Sequence, residues 1–454
     1  MFSMHYKYFT FHILALFFFS LNSYSQITST SPYSSFGIGE RDGIDNAVFS
    51  GLGNTTITYF DSTTLNYFNP SSYNTIGKGQ PLFSVGISSR LSNYSEAGVS
   101  NFSKTVVINH FAMGLSFAKH FGFAFGLKPF SRRGYEFSTK ELLVTDTIVH
   151  TYLGSGNTNE AFVGLSSDLF KFTNHQLAIG ANAGYVFGTM TNERRSNLST
   201  ETAGGVDQKI LKIGSLHYEF GLFYKAAINK FNNLTFSALV EPSQSFSVSQ
   251  ETNLFATKFI DNSLYYNKID STGSIRGKIV NPLLTSIGFN YAYSFKDLKN
   301  GISERNSELS LHASYSTTNW TNYHTTFTSE LLNPNYVNTS KYTVGLQYIP
   351  EKSFLGQTGA TKILETIRYR IGAYQYSLPI VVSGGSVIDR GATLGFGIPI
   401  RMQKSLSSVN LSFTYGKRGN SEATQLKEQY YGINLGIVFA PANFERWFIK
   451  RKFD

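Results

Sequence analysis

The sequence predicts an all-β fold, a closed antiparallel β-barrel of about fourteen membrane-crossing strands with an N-terminal hatch folded into its lumen. Three observations predict it. Apolar and small polar residues alternate with a period of two along most of the chain. Aromatic residues make up 15% of the 454 residues and charged residues only 15%, against roughly 25% charged in an ordinary soluble protein. There is no cysteine among 40 Phe, 28 Tyr and 40 Gly, so the fold is held without disulfides. A hydrophobic content of 41% excludes a disordered chain. Beyond the first 25 residues no apolar run approaches the ~18 residues a membrane helix needs.

Residues 1–25 read as a secretory signal. Lys7 supplies the positive start and Ile13-Leu14-Ala15-Leu16-Phe17-Phe18-Phe19 the short apolar core. Small residues at Ser23-Tyr24-Ser25 precede Gln26, where cleavage is expected. The formal charge of +10 comes from scattered Lys and Arg. In an exported chain anionic lipid head groups answer it better than nucleic acid does.

Residues 26–80 are rich in Ser, Thr, Asn and Gly and are broken at Asn69-Pro70 and Pro81. They are too polar and too few to bury a core of their own, so their expected place is inside the barrel, as a hatch.

The wall is assigned to residues 81–442. Its clearest segments place Phe111, Met113, Leu115 and Phe117 on one face, opposite His110, Ala112, Gly114 and Ser116. Likewise Ile287, Phe289, Tyr291, Tyr293 and Phe295 oppose Gly288, Asn290, Ala292 and Ser294. Tyr431, Ile433, Leu435, Ile437 and Phe439 oppose Gly432, Asn434, Gly436 and Val438. Period two with one apolar face is a half-buried strand. Two details select lipid over a protein core as the apolar solvent: the apolar faces end in Tyr and Phe, and the opposite faces carry Gly, Ala, Ser and Asn rather than charges. Short connections such as Lys119-His120 and Met402-Gln403-Lys404-Ser405 read as periplasmic turns. The stretches 138–158, 191–214, 249–282 and 321–338 read as long outside loops, which puts both chain ends on the periplasmic side. Residues 443–454 form a basic periplasmic tail.

Certain residues carry a resemblance. Gly51-Leu52-Gly53-Asn54-Thr55, Asp61-Ser62-Thr63-Thr64 and Asn66-Tyr67-Phe68-Asn69-Pro70-Ser71-Ser72 resemble the hatch of the FadL/TodX outer-membrane transport barrels, with Ser71 where that pattern has Ala. The resemblance implies a fourteen-strand barrel in the cell outer membrane. It also implies hatch-gated passage of a hydrophobic or amphipathic solute, with Gly51, Gly53, Asp61, Asn69 and Pro70 as hatch and gating residues. A narrower likeness rests on Ser31-Pro32-Tyr33-Ser34-Ser35-Phe36-Gly37-Ile38-Gly39, Gly134-Tyr135, Glu445-Arg446-Trp447-Phe448 and Lys450-Arg451-Lys452. These resemble barrels of bacteria with type IX secretion, of the PorV and Plug kind, and imply the alternative of a non-transporting subunit of a secretion translocon.

No catalytic set is visible. Gly164-Leu165-Ser166-Ser167-Asp168 fails the nucleophile-elbow pattern at its last position, and no His pair has zinc-ligand spacing. The expectation is therefore no enzyme, no metal and no cofactor. On predicted lumen faces Arg368 and Arg370, with Lys128, are the candidates for meeting an anionic group. The expected partners are outer-membrane lipid and lipopolysaccharide, with either a hydrophobic solute or a translocon subunit.

Overall fold

The computed structural model describes residues 31–41, 46–78, 80–96, 98–118, 120–144, 146–198, 203–260, 263–299, 303–327, 335–351, 363–382, 385–400, 407–419 and 426–440. The expected signal, the turn at 402–405 and the basic tail lie outside them. After a two-residue strand β1 (Glu40–Arg41) come β2 (Leu82–Glu96), β3 (Val99–Ser116), β4 (Phe121–Leu142), β5 (Thr147–Lys171), β6 (His175–Leu198) and β7 (Ala203–Ala227). Next are β8 (Asn232–Glu241), β9 (Gln244–Ile260), β10 (Ser263–Asn281), β11 (Leu284–Lys299), β12 (Ser303–Thr318) and β13 (His324–Thr325). The chain finishes with β14 (Thr339–Ile349), β15 (Arg368–Val382), β16 (Gly385–Pro399), β17 (Ser408–Gly419) and β18 (Lys427–Phe439).

Fourteen of these strands close a ring. β2 to β8 pair in sequence, β8 pairs with β11, β11 with β12, β12 with β14, and β14 to β18 follow, with β18 returning to β2. Every neighbouring pair is antiparallel. β3 and β4 pair only between Phe111–Ser116 and Gly122–Leu127, so their upper parts separate, and β1 takes up a short piece of the β4 edge left there. The expected faces hold. On β11, Ile287, Phe289, Tyr291 and Tyr293 are exposed on the outside; on β18, so are Tyr431, Ile433, Leu435, Ile437 and Phe439.

The expected long outside loops need correction. Residues 138–158, 191–214 and 249–282 are mostly strand. β4 and β5 pair up to Leu142↔Thr147, β6 and β7 up to Asn197↔Gly204, and β9 and β10 up to Ser263↔Ile260. Above the lipid band neither face of a strand has to be apolar, so the backbone still pairs while the alternation disappears from the sequence. Pro242 and Pro282 sit at the breaks between β8 and β9 and between β10 and β11, where their missing N–H costs the ladder least. Stretch 321–338 begins with the turn Trp320–Asn322 and β13, which pairs with β10.

The chain ends expected on the periplasmic side lie outside the described residues, and the first described residues lie at the mouth away from the short turns. Tyr33 donates to the Leu426 carbonyl and Ser31 Oγ to Glu428. Both acceptors lie beside the β17–β18 hairpin, at the mouth away from the short turns. From there residues 31–78 run down the lumen before entering β2 at Leu82.

Candidate functional site

The lumen is the site, and residues 31–41 and 46–78 pack against its inner wall, most of them buried. At the upper mouth β1 adds to the edge of β4 that β3 leaves unpaired, with Glu40 opposite Arg132 and Arg41 opposite Ser131. Neighbouring residues of a strand point to opposite sides, so these two reach opposite walls. Glu40 meets Arg418 of β17 at 2.5 Å. Arg41 donates two bonds of 2.9 Å to Glu241 at the end of β8.

Each contact belongs to a larger charge cluster. Arg418 also pairs with Asp389 at 2.8 Å, and Glu428 pairs with Arg90 at 2.8 Å. The Arg90 guanidinium lies 3.7 Å over the Tyr430 ring, and the Tyr430 hydroxyl donates to Asp389. On the other side Lys128 meets Glu219 at 2.9 Å and Glu160 at 3.4 Å. His217 stands between Glu160 and Glu241, 3.0 Å from each. Burial alone would raise the Glu40 carboxyl, but Arg418 and Arg90 outweigh it and hold it at about 2 rather than its ordinary 4.5. The Glu40 link is therefore in place above pH 4.5 and is lost only as the pH falls toward 2.

Glu160, His217 and Glu219 bring three donor atoms within 4.8 Å of one another. The Lys128 ammonium already lies against both carboxylates, so the group reads as an ion-paired cluster rather than a metal centre.

Midway down, Asn46 caps a four-residue helix, accepting from the Val48 N–H at 3.0 Å. The Gly51-Leu52-Gly53 backbone then lies flat on the wall. Gly53 has φ +67°, and a Cβ there would stand 2.4 Å from the Val344 carbonyl oxygen and 2.6 Å from the Ala373 nitrogen. Only glycine fits both the conformation and the space. The wall answers with its own glycines: a Cβ on Gly372 would lie 2.2 Å from the Gly53 nitrogen. The Gly53 N–H donates to Thr393 Oγ1 at 2.8 Å.

Near the lower end Asp61 accepts from Arg368 at 2.8 Å and from Thr63 Oγ1 at 2.7 Å. Asn69 explains the Asn-Pro element. Its Oδ1 accepts from the Ser71 N–H and hydroxyl, at 3.2 and 2.7 Å, and its Nδ2 donates to the Ile57 carbonyl. Pro70 then opens the turn Pro70–Thr75, where a missing N–H does no harm. Ser71, the departure from the FadL/TodX pattern, thus supplies an extra bond to the cap. Its neighbour Pro70 lies on Gly180, whose added Cβ would come 2.4 Å from the Pro70 carbonyl carbon.

Of the three lumen cations expected to await an anion, Lys128 and Arg368 have carboxylate partners within the protein. Arg370 is 1% exposed and donates to Gln347 Oε1 at 2.8 Å and Asn410 Oδ1 at 3.1 Å. Sequence reasoning missed Glu40, Arg41, Glu241, Asp389, Arg418 and Glu428. The available signal was charge on the inward face of strands whose outward face is aliphatic or aromatic, as at Arg418, whose strand turns Phe413 and Tyr415 outward.

Between the two charge clusters remains a chamber of about 350 Å³. Above it Ile38, Phe130, Phe246, Val248, Ile279 and Trp320 form a buried apolar cap. Below it Leu65, Tyr67, Tyr73, Ile76, Leu82 and Phe162 form a second one.

Comparison with solved structures gives the same architecture at low sequence identity. The toluene transporter TodX of P. putida aligns with a TM-score of 0.56 and 14% identity, over 89% of this chain and 99% of that one. The CymD monoaromatic hydrocarbon channel aligns at 0.51 and 11%, over 88% and 98%. A Pseudomonas aeruginosa FadL homologue aligns at 0.50 and 11%, over 88% and 98%. These likenesses establish the FadL-type fold. No curated protein matches the sequence. The expected membership of the FadL/TodX family is corrected at the level of sequence, where a different family model, BamG, matches residues 7–454. With nearly its whole length matched, the chain belongs to the BamG family.

Proposed function

We propose that the protein is an outer-membrane barrel held shut by its own N-terminal segment, serving as a non-conducting, non-catalytic subunit of a larger outer-membrane assembly. One observation carries this reading. Glu40 and Arg41 tie the segment to opposite walls across a chamber lined by paired charges, so among the described residues ion pairs span the lumen at that level. Glu40 and Arg41 are partly exposed but their wall partners Arg418 and Glu241 are buried, so opening the lumen deprives two buried wall charges of a counter-charge at once. The strand extensions of β4 to β10 outside the lipid band offer a broad polar surface to a partner. The motifs resembling type IX secretion barrels support a translocon or export-machine subunit as that partner.

A second reading is hatch-gated passage of a hydrophobic or amphipathic solute. The enclosed chamber favours it, as do the neighbours described as a toluene transporter and a monoaromatic hydrocarbon channel. Affinity isolation from mild detergent separates the two. The first reading expects a large partner at fixed stoichiometry. A lone barrel that retains an apolar small molecule would reverse the order.

A further inference from the structure

The outer wall carries a feature the lumen does not explain. On β15 and β16, Ala373 and Ala392 face outward and stand directly opposite each other. Their small side chains make the floor of a depression of about 680 Å³ walled by Val344, Ile371, Leu394 and Phe413, within the ~300–1,000 Å³ of ordinary ligand pockets. Everything turned outward in it is apolar or aromatic.

Two residues further toward the upper mouth, ~7 Å along the strands, the outward row changes character. Arg390 of β16 and Lys417 of β17 are exposed there and are direct cross-strand partners. Like charges placed opposite each other destabilise a sheet, and among the described residues neither has a carboxylate partner. Beside them Gln429 donates to the hydroxyls of Tyr415 and Tyr431 at 3.1 and 3.2 Å, which fixes the rim of the depression.

We propose that this is a binding site for a phosphorylated lipid of the outer leaflet. An acyl chain lies in the Ala373/Ala392 depression and a phosphate bridges Arg390 and Lys417. The charges select the occupant: an alkyl chain alone leaves the facing cations unanswered, and a soluble anion leaves the depression empty. Guanidinium and ammonium groups together suit a phosphate, and the row lies at the level where head groups meet the upper edge of the apolar band. The inference rests on the membrane reading of the barrel.

The test is native mass spectrometry of the intact protein in detergent, titrated in parallel with lipid A and with phosphatidylcholine. One lipid A is expected to stay bound. The double variant Arg390→Gln/Lys417→Gln should weaken it at least tenfold. Ala373→Leu, which fills the floor and leaves the cations in place, should weaken it to a similar degree. Unaltered retention by the charge variant, or equal retention of phosphatidylcholine by the natural protein, overturns the site. Insertion into phospholipid vesicles, measured alongside, separates the two failures. A protein that inserts but does not discriminate loses only the site, whereas one that does not insert loses the membrane reading itself.

Discussion

Phe289→Arg or Leu435→Arg lowers the stability of the barrel in lipid vesicles by about 2–4 kcal/mol, the cost of a cation near the bilayer midplane. Both side chains are exposed on the outer face, at 38% and 40%, where hydrocarbon is the solvent. The inward neighbours behave differently. Asn434 donates to Ser50 of the N-terminal segment at 2.8 Å. A Cβ on Gly288 would stand 2.6 Å from Thr58 Cγ2. Arginine at Asn434 therefore pushes on the segment rather than on the membrane, and protease sensitivity appears within residues 46–60 while the wall stays folded. At Gly288 the added Cβ would also stand 2.8 Å from the Ala313 carbonyl oxygen of β12, so the wall shares the strain there. Urea titration with proteolysis distinguishes the faces. Equal losses of wall stability at outward and inward positions would mean that the register or the solvent is wrong.

Gly53→Val has the largest expected effect on the lumen. The left-handed φ costs a β-branched residue upward of ~1–2 kcal/mol, and overpacking against fixed backbone adds ~1–3 kcal/mol. Both penalties fall on one seat, because the obstructing atoms belong to strands β14 and β15 and are held by the ladder. The segment gives way first. Amide exchange should rise sharply over 46–60 and little over β14 to β18. Should exchange remain unchanged along the segment, the Gly53 seat is not what positions it.

The wall was legible in the sequence wherever a strand separates two solvents. Residues 283–295 and 429–440 alternate cleanly because lipid lies on one side and the packed lumen on the other. The upper halves of β5, β6 and β7 were not legible. Glu193, Arg194 and Arg195 run consecutively in a paired strand, since above the membrane neither face demands an apolar residue. The Asn69-Pro70 turn could be read because its chemistry is local, a side-chain cap followed by a fixed φ. The charge clusters could not, because their members come from strands far apart in the chain. Arg41 meets Glu241 200 positions away, and Glu40 meets Arg418 378 away. Such pairs are set by barrel closure and hatch insertion, which no spacing along the chain encodes. For the same reason Lys128 and Arg368 looked free in the sequence, while the fold supplies their carboxylates.

The central claim is that residues 31–78 plug a barrel that stands without them. Deleting residues 33–75 removes Glu40 and Arg41 but no wall strand, and water entering the emptied lumen hydrates the inward charges left behind. Single-channel recording in planar bilayers tests the claim most directly. The account predicts a silent intact protein and a large, steady conductance from the deletion variant. Identical traces from the two would contradict it and would place the segment outside the conducting path.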